Sequence, residues 1–352
     1  MKKLKNVCIM LVMLSMIVSC GNKAKNDKAI TDTNSESEQQ PNIVFILSDD
    51  QSWTDYSFMG HEHIETPRLD KLASESLTFT RGYVPTSLCS PSLATIITGL
   101  YPKDHSILGN DVAYERTKDR EESRKNRSEA YKPIIPYFEK LTTLPDLLKE
   151  KGYLSFQTGK WWHGNHKIGG FDYGMTHGDP ERGGRHGDYG LEIGRKGLDT
   201  INSYVNLALK EKKPFFLWYA PFLPHAPHTP PQRLLDKYLT KTDSDYVAKY
   251  WAMCEWFDET CGQLFDLIDD KGLTENTLFV YVCDNGWVQN PNKSTYVKNS
   301  KRAPYDLGVR TPIMYKWAGQ IKPKMDTETV VSSIDMVPTV LDILDIEKPK
   351  NL

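Results

Sequence analysis

Neither sign of charge dominates this chain: across 352 residues, 44 Lys and Arg stand against 46 Asp and Glu, for a formal net charge of −2 at pH 7. The missing basic excess excludes a face that tracks phosphate backbones. No nucleic acid partner is therefore expected, and a small or locally recognised substrate is the default. Cysteine is scarce too. Of 6 in the chain, those beyond residue 20 (Cys89, Cys254, Cys261 and Cys283) show no paired spacing of the kind a zinc site needs. Cys254 and Cys261 lie two turns apart on a predicted helix, where facing one core is favoured over a disulfide. No internal repeat is visible, and no apolar run long enough to span a bilayer follows residue 20.

The beginning of the chain has the pattern of an export signal. Lys2, Lys3 and Lys5 precede an apolar stretch from Val7 to Val18, and Ser19-Cys20-Gly21 follows. Its end resembles a bacterial lipoprotein signal, in which Cys20 becomes the lipidated first residue; an ordinary secretory signal is the alternative. Residues 21–40 are Asn, Lys, Asp, Ser, Glu and Thr with little to bury, so they read as a disordered tether. The expected protein is exported and anchored to a membrane through Cys20, in the periplasm or at the cell surface, with residues 41–352 forming its one large domain.

In that domain apolar runs of strand length alternate with segments of helical period, the mark of an α/β fold with a mainly parallel sheet. Strands are predicted over 42–48, 77–81, 153–158, 215–219, 278–283 and 311–315. Helices are predicted near 67–75, 91–98, 143–151, 198–210, 245–271 and 335–344. Two long stretches resist this reading. Residues 112–139 are charge-dense and read as a solvated insertion, while the glycine-rich residues 165–195 read as a substrate-binding rim or a plain surface loop. Within the latter, Asp179, Arg182, Arg185 and His186 are candidates for gripping a sugar or an anionic substrate.

Two acidic pairs share a structural position. Asp49-Asp50 and Asp284-Asn285 each directly follow a predicted buried strand, in the crevice where open α/β sheets bind ligands. Carboxylates converging there repel unless a cation joins them, and an all-oxygen set suits calcium, with magnesium second. Taken alone, an Asp-Asp pair is usually a turn. Cys89 stands just before a predicted helix that Ser90 can cap, Pro91 can open and Gly99 can end, so residue 89 meets the positive end of a helix, where anions bind.

Cys89-Ser90-Pro91-Ser92, followed by Thr98-Gly99-Leu100-Tyr101-Pro102, resembles the signature of the type I sulfatases, whose cysteine is oxidised to formylglycine. The likeness runs from Pro41 to about Pro349. Pro41-Asn42-Ile43-Val44 through Asp50 resembles their opening strand and first metal pair, and Cys283-Asp284-Asn285-Gly286 their second. Gly159-Lys160-Trp161 resembles their lysine tract, Pro224-His225-Ala226-Pro227 their histidine loop, and Lys301 through Arg310-Thr311-Pro312 the segment with their second lysine.

The resemblance implies an alkaline-phosphatase-like fold with its C-terminal subdomain largely missing. It implies a formylglycine-dependent sulfuric ester hydrolase acting on a sulfated small molecule or glycan. Asp49, Asp50, Asp284, Asn285 and the modified Cys89 would hold Ca2+, or less readily Mg2+. Lys160 and Lys301 would neutralise the transferring group, and His225 would protonate the leaving oxygen or hydrogen-bond to it. A formylglycine-generating enzyme would be a partner during maturation. The chain departs from the family pattern twice. Leu93 stands where an arginine usually follows the cysteine, and Trp162 stands where a histidine usually follows the lysine, leaving that place to His163, to His166 or to neither. His105 would line the sulfate pocket or fix its loop. The competing readings are a phosphonate or phosphodiester hydrolase of the same superfamily, and a non-catalytic binding protein if Cys89 stays a thiol.

Overall fold

Five apolar residues in a row, Ile43-Val44-Phe45-Ile46-Leu47, are all buried, which is possible only for a strand covered by helices on both faces. The structure, a computed structural model, describes residues 40–110, 112–178, 188–350 and 352. The export signal with Cys20, the tether up to residue 39, and the loop positions Asp179, Arg182, Arg185 and His186 lie outside the described residues.

The strands are β1 (Asn42–Ser48), β2 (Leu77–Tyr83), β3 (Leu154–Gly159), β4 (Tyr173–Gly174), β5 (Phe215–Ala220), β6 (Thr277–Cys283), β7 (Arg310–Lys316) and β8 (Lys324–Ser332). They form one sheet in the order β4-β3-β5-β1-β6-β7-β2-β8. Only β7 runs against its neighbours; the pairs β4-β3, β3-β5, β5-β1, β1-β6 and β2-β8 are parallel. The helices are α1 (Pro67–Ser74), α2 (Cys89–Thr98), α3 (Pro102–His105), α4 (Arg120–Tyr131), α5 (Ile134–Phe138), α6 (Leu144–Lys149), α7 (Asp199–Glu211), α8 (Gln232–Leu239), α9 (Asp245–Asp270), α10 (Asp306–Val309) and α11 (Met336–Ile343).

Alternation along β1 feeds two cores, because successive strand side chains point to opposite faces. Ile43, Phe45 and Leu47 join Leu93, Ile96 and Ile97 of α2, Leu144 and Leu148 of α6, and Val337 and Val340 of α11. Val44 and Ile46 join Leu69 and Leu72 of α1, Val205 of α7, and Phe257, Leu264 and Ile268 of α9. Each such side chain contributes roughly 1.5–3 kcal/mol through burial. The sheet is thereby clamped, and the ends of its strands are held where chemistry can be built on them.

Three expectations need correction. Residues 112–139 are not structureless: they hold α4 and α5, and while α4 is largely exposed, Phe138 at the end of α5 is fully buried. β8 was not predicted at all; it is an edge strand with mostly exposed residues, so it carries no apolar pattern. Cys254 and Cys261 are free and buried, but they face different clusters, Cys254 beside Tyr250 and Trp287 and Cys261 beside Phe257 and Leu264.

Candidate active site

Parallel register brings the motifs together. Ser48 pairs with Cys283 and Gly159 pairs with Ala220, so the adjacent strands β3, β5, β1 and β6 end at nearly one level. Their next residues are Lys160, the loop with His225, Asp49-Asp50 and Asp284-Asn285. Gly159 is required here: its φ is 76°, and a Cβ would lie 1.8 Å from the Ala220 carbonyl oxygen. That close approach lets the Lys160 amide donate to the same carbonyl at 2.6 Å. Asp50 has a φ of 64°, a left-handed turn that Asp tolerates better than most residues, and its amide donates to Asp284 Oδ1 at 3.2 Å.

Cys89 enters from the other side as the first residue of α2, which corrects the predicted cap. Ser90 lies inside the first turn rather than before it, and its amide donates to Asn110 Oδ1 at 2.8 Å. Nothing in the local sequence pointed to Asn110, which lies 20 residues away and caps the helix through space. Gly99 ends the helix with a φ of 70°, as predicted. Leu93 is buried in the core beneath. The loop with Lys301 is pinned next to the cysteine, because the Arg302 amide donates to the Ser87 carbonyl at 3.1 Å.

The resulting cluster is almost wholly buried. Lys160 Nζ donates to Asp49 Oδ1 at 2.5 Å and to Asp284 Oδ2 at 3.1 Å. Lys301 Nζ donates to both oxygens of Asp50 at 2.6 Å and lies 3.4 Å from Cys89 Sγ. Asn285 Nδ2 donates to Asp50 Oδ1 at 2.6 Å. Burial opposes ionisation of Asp50, but Lys301, His225 and Lys160 outweigh it and hold that carboxyl below the usual range. For Asp49 and Asp284 burial wins, pushing them up to about 6 and about 7 despite Lys160 between them. Burial also pushes the Cys89 thiol up to about 12, against the pull of Lys160 and Lys301.

Charge explains these shifts. Among the described residues Asp49, Asp50 and Asp284 form ion pairs with two lysines, Lys160 and Lys301, and with the weakly basic His225, so with that ring neutral the buried cluster is one positive charge short. A proton or a cation must supply it. Two buried oxygens in the same place, Asp49 Oδ2 and Asn285 Oδ1, have no hydrogen-bond partner among the described residues. Ligand atoms of Asp49, Asp50, Cys89 and His225 lie within 4.8 Å of one another. This set is compatible with a bound metal ion. It differs in emphasis from the predicted set: Asp284 is engaged by Lys160 and the Asp50 amide, whereas His225 joins the donors.

The histidines divide by role. His225 has its Nε2 3.3 Å from Asp50 Oδ2, its Nδ1 2.5 Å from the Ala226 carbonyl oxygen, and its ring stacked on Phe222 at 4.1 Å. Acceptors on both nitrogens favour the charged ring, but burial, with help from Lys160 and Lys301, pulls its pKa down to about 4. The ring is neutral at pH 7. His163 is buried beside the Ser90 backbone, stacked on Phe138 at 4.1 Å, with its Nε2 unpartnered; burial lowers it to about 3. His166 instead meets the Thr176 carbonyl at 3.3 Å. The structure therefore brings His163, not His166, next to the turn that carries Cys89. His105 fixes the loop, its Nε2 3.1 Å from Thr95 Oγ1 and its Nδ1 accepting from the Ile107 amide at 3.1 Å.

Support beneath the first acidic pair comes from residues that the sequence did not mark. Tyr250 Oη donates to Asp55 Oδ2 at 2.7 Å and lies 3.2 Å from the Asp50 carbonyl oxygen, bracing the turn after β1 against α9.

Comparison with known proteins agrees with this geometry. The family profile described as Sulfatase matches residues 41–346. An ulvan-active sulfatase of Formosa agariphila is 25% identical over 385 residues, covering 98% of this chain and 68% of that protein. Human arylsulfatase A is 27% identical over 348 residues, covering 85% of this chain and 63% of that protein. The chain thus spans about two-thirds of the length of these curated relatives. In fold, the solved structure of the PsFucS1 sulfatase from Pseudoalteromonas sp. superposes with a TM-score of 0.69 at 22% identity, over 89% of this chain and 70% of that one.

Proposed function

Because the chain belongs to the sulfatase family, we propose that it releases inorganic sulfate from a carbohydrate sulfate monoester. The nucleophile is Cys89 oxidised to formylglycine, and Asp49, Asp50, Asp284 and Asn285 hold a divalent cation. One observation carries the reading: Cys89 opens a helix beside Lys301, and beneath it lies a carboxylate cluster one positive charge short with two unpaired oxygens. The carboxylate and amide oxygens of these four residues suit calcium, with magnesium second, while the neighbouring His225 is kept for the leaving oxygen. When bound, such a cation supplies Lewis-acid polarisation and a template for the sulfate oxygens. The hydrated aldehyde of formylglycine would supply two hydroxyls on one carbon, one to attack sulfur as the alcohol departs and the other to lose its proton, so that sulfate is expelled by cleavage of its bond to that carbon and the aldehyde is restored.

The chain's own groups do the rest. Lys160 and Lys301 stand in fixed positions where negative charge develops on the transferring group, the arrangement that contributes most to catalysis. The amino end of α2 adds backbone donors for an anion. His225, neutral at pH 7, hydrogen-bonds to the leaving oxygen. A thiol at residue 89 held up at about 12 is a poor nucleophile, which supports the need for maturation by a formylglycine-generating enzyme. The carbohydrate class is supported by the ulvan-active relative. Export and a lipid anchor on Cys20 rest on Lys2, Lys3, Lys5, the apolar stretch and the cysteine that ends it.

The test is to produce the chain with a formylglycine-generating enzyme, supply calcium, and compare aryl sulfate with aryl phosphodiester turnover. Mass spectrometry of the Cys89 peptide runs alongside. An aldehyde mass with sulfate turnover dominant is expected; dominant phosphodiester turnover, or an unmodified thiol throughout, overturns the proposal.

A further inference from the structure

Arg195 lies at the end of the glycine-rich stretch, directly after Gly194, whose φ is 75°. Its guanidinium reaches both ends of the loop that carries His225. Nη2 donates to the Phe222 carbonyl at 2.6 Å, and Nη1 donates to Thr229 Oγ1 at 3.3 Å. The same group lies over the Trp256 ring of α9, 5.3 Å from its centroid. Between the two anchors, Phe222 stacks on the His225 ring at 4.1 Å, and the Asp49 amide donates to the Leu223 carbonyl at 3.0 Å.

We infer that Arg195 is a positioning residue for His225: one guanidinium, backed by Trp256, closes the 222–229 loop and holds the ring with its Nε2 turned into the acidic cluster, 3.3 Å from Asp50 Oδ2. The chemistry suits arginine and not lysine. A planar fork serves two acceptors in fixed directions while its face rests on an aromatic ring, whereas one ammonium group cannot do all three. The inference depends on the sulfatase reading only for its kinetic consequence, since the loop is clamped whatever reaction it serves.

Two measurements on this 352-residue chain test it. The first is amide hydrogen exchange of Arg195→Ala, in which peptides spanning 222–229 exchange faster while those of β1 and β6 do not change. The second is turnover of an aryl sulfate by Arg195→Ala, Arg195→Lys, His225→Ala and the double variant. Misplacing a reacting group by ~1 Å costs on the order of a hundredfold, so kcat falls about tenfold to a hundredfold in both Arg195 variants with KM little changed. In the His225→Ala background Arg195→Ala costs nothing further, because it acts through the missing ring. Unchanged exchange in the loop overturns the inference. So does an equal loss in both backgrounds, which marks direct substrate contact. Should the parent turn over no sulfate ester, the function proposal fails and the exchange experiment alone decides the clamp.

Discussion

Lys160→Met isolates the charge argument. Lys160 is 1% exposed and bridges Asp49 and Asp284; methionine keeps most of the length of the side chain, one atom shorter, and removes its charge. Stripping one partner from a buried ion pair costs about 3–5 kcal/mol, which for a domain of this size lowers the melting temperature by on the order of 5–10 °C. The loss depends on pH in a definite direction. Asp49 at about 6 and Asp284 at about 7 already lie above their unfolded value of 3.8, so the folded chain binds protons that the unfolded chain releases. Their contribution to stability is lost as pH rises through that window and the penalty is complete above it. Without Lys160 both values climb further, so the variant's deficit is larger at pH 8 than at pH 5. The assay is urea or thermal unfolding in chelator at both pH values, repeated with calcium, which restores part of the missing charge and narrows the gap at pH 8. A deficit equal at pH 5 and pH 8, or no deficit at all, refutes the reasoning, because the lysine would then not be compensating buried carboxylates.

Three other perturbations follow from the same geometry. Gly159→Ala forces a Cβ to within 1.8 Å of the Ala220 carbonyl oxygen at a φ of 76°, so it destabilises by on the order of 3 kcal/mol or more; thermal melts and turnover should fall together, since Lys160 is the next residue. Burial lowers His105 to about 4 from an ordinary 6.5, so the stability it contributes as a neutral ring is full above pH 6.5 and is lost as pH falls toward 4, by on the order of 2 kcal/mol. Urea midpoints at pH 7 and pH 5 should differ less in His105→Gln than in the parent. Cys89→Ala should reduce sulfate ester turnover to background with only a small change in melting temperature, because a single buried sulfur is lost from the start of α2.

Local patterns made much of this legible in advance. The unbroken apolar run of β1 announced a strand buried on both faces, and the helix over residues 245–271 was found as α9 almost to the residue, started by Ser244, whose hydroxyl accepts from the Val247 amide. Asp49, Asp50, Asp284, Asn285, Lys160, His225, Lys301 and Cys89 all stand out in the sequence by motif, and the fold brings them together. What escaped has several physical causes. β8 is an edge strand with little to bury, so no period marks it. The helical turns of 112–139 were hidden by their charge. The cap on Ser90 and the clamp on the His225 loop come from Asn110 and Arg195, which sequence spacing cannot connect to their partners.

Residue types and strand-end positions, then, were determined by the sequence itself, because burial, turn chemistry and helix capping act over a few neighbours. The tertiary structure alone decided which lysine meets which carboxylate: Lys160 lies 111 residues from Asp49 and 124 from Asp284, and Lys301 lies 251 from Asp50. It also decided that the cluster is one positive charge short, that His163 rather than His166 reaches the Ser90 turn, and that a distant arginine closes the His225 loop. These are sums over groups gathered by parallel register, and a buried charge balance exists only once the register has brought them together.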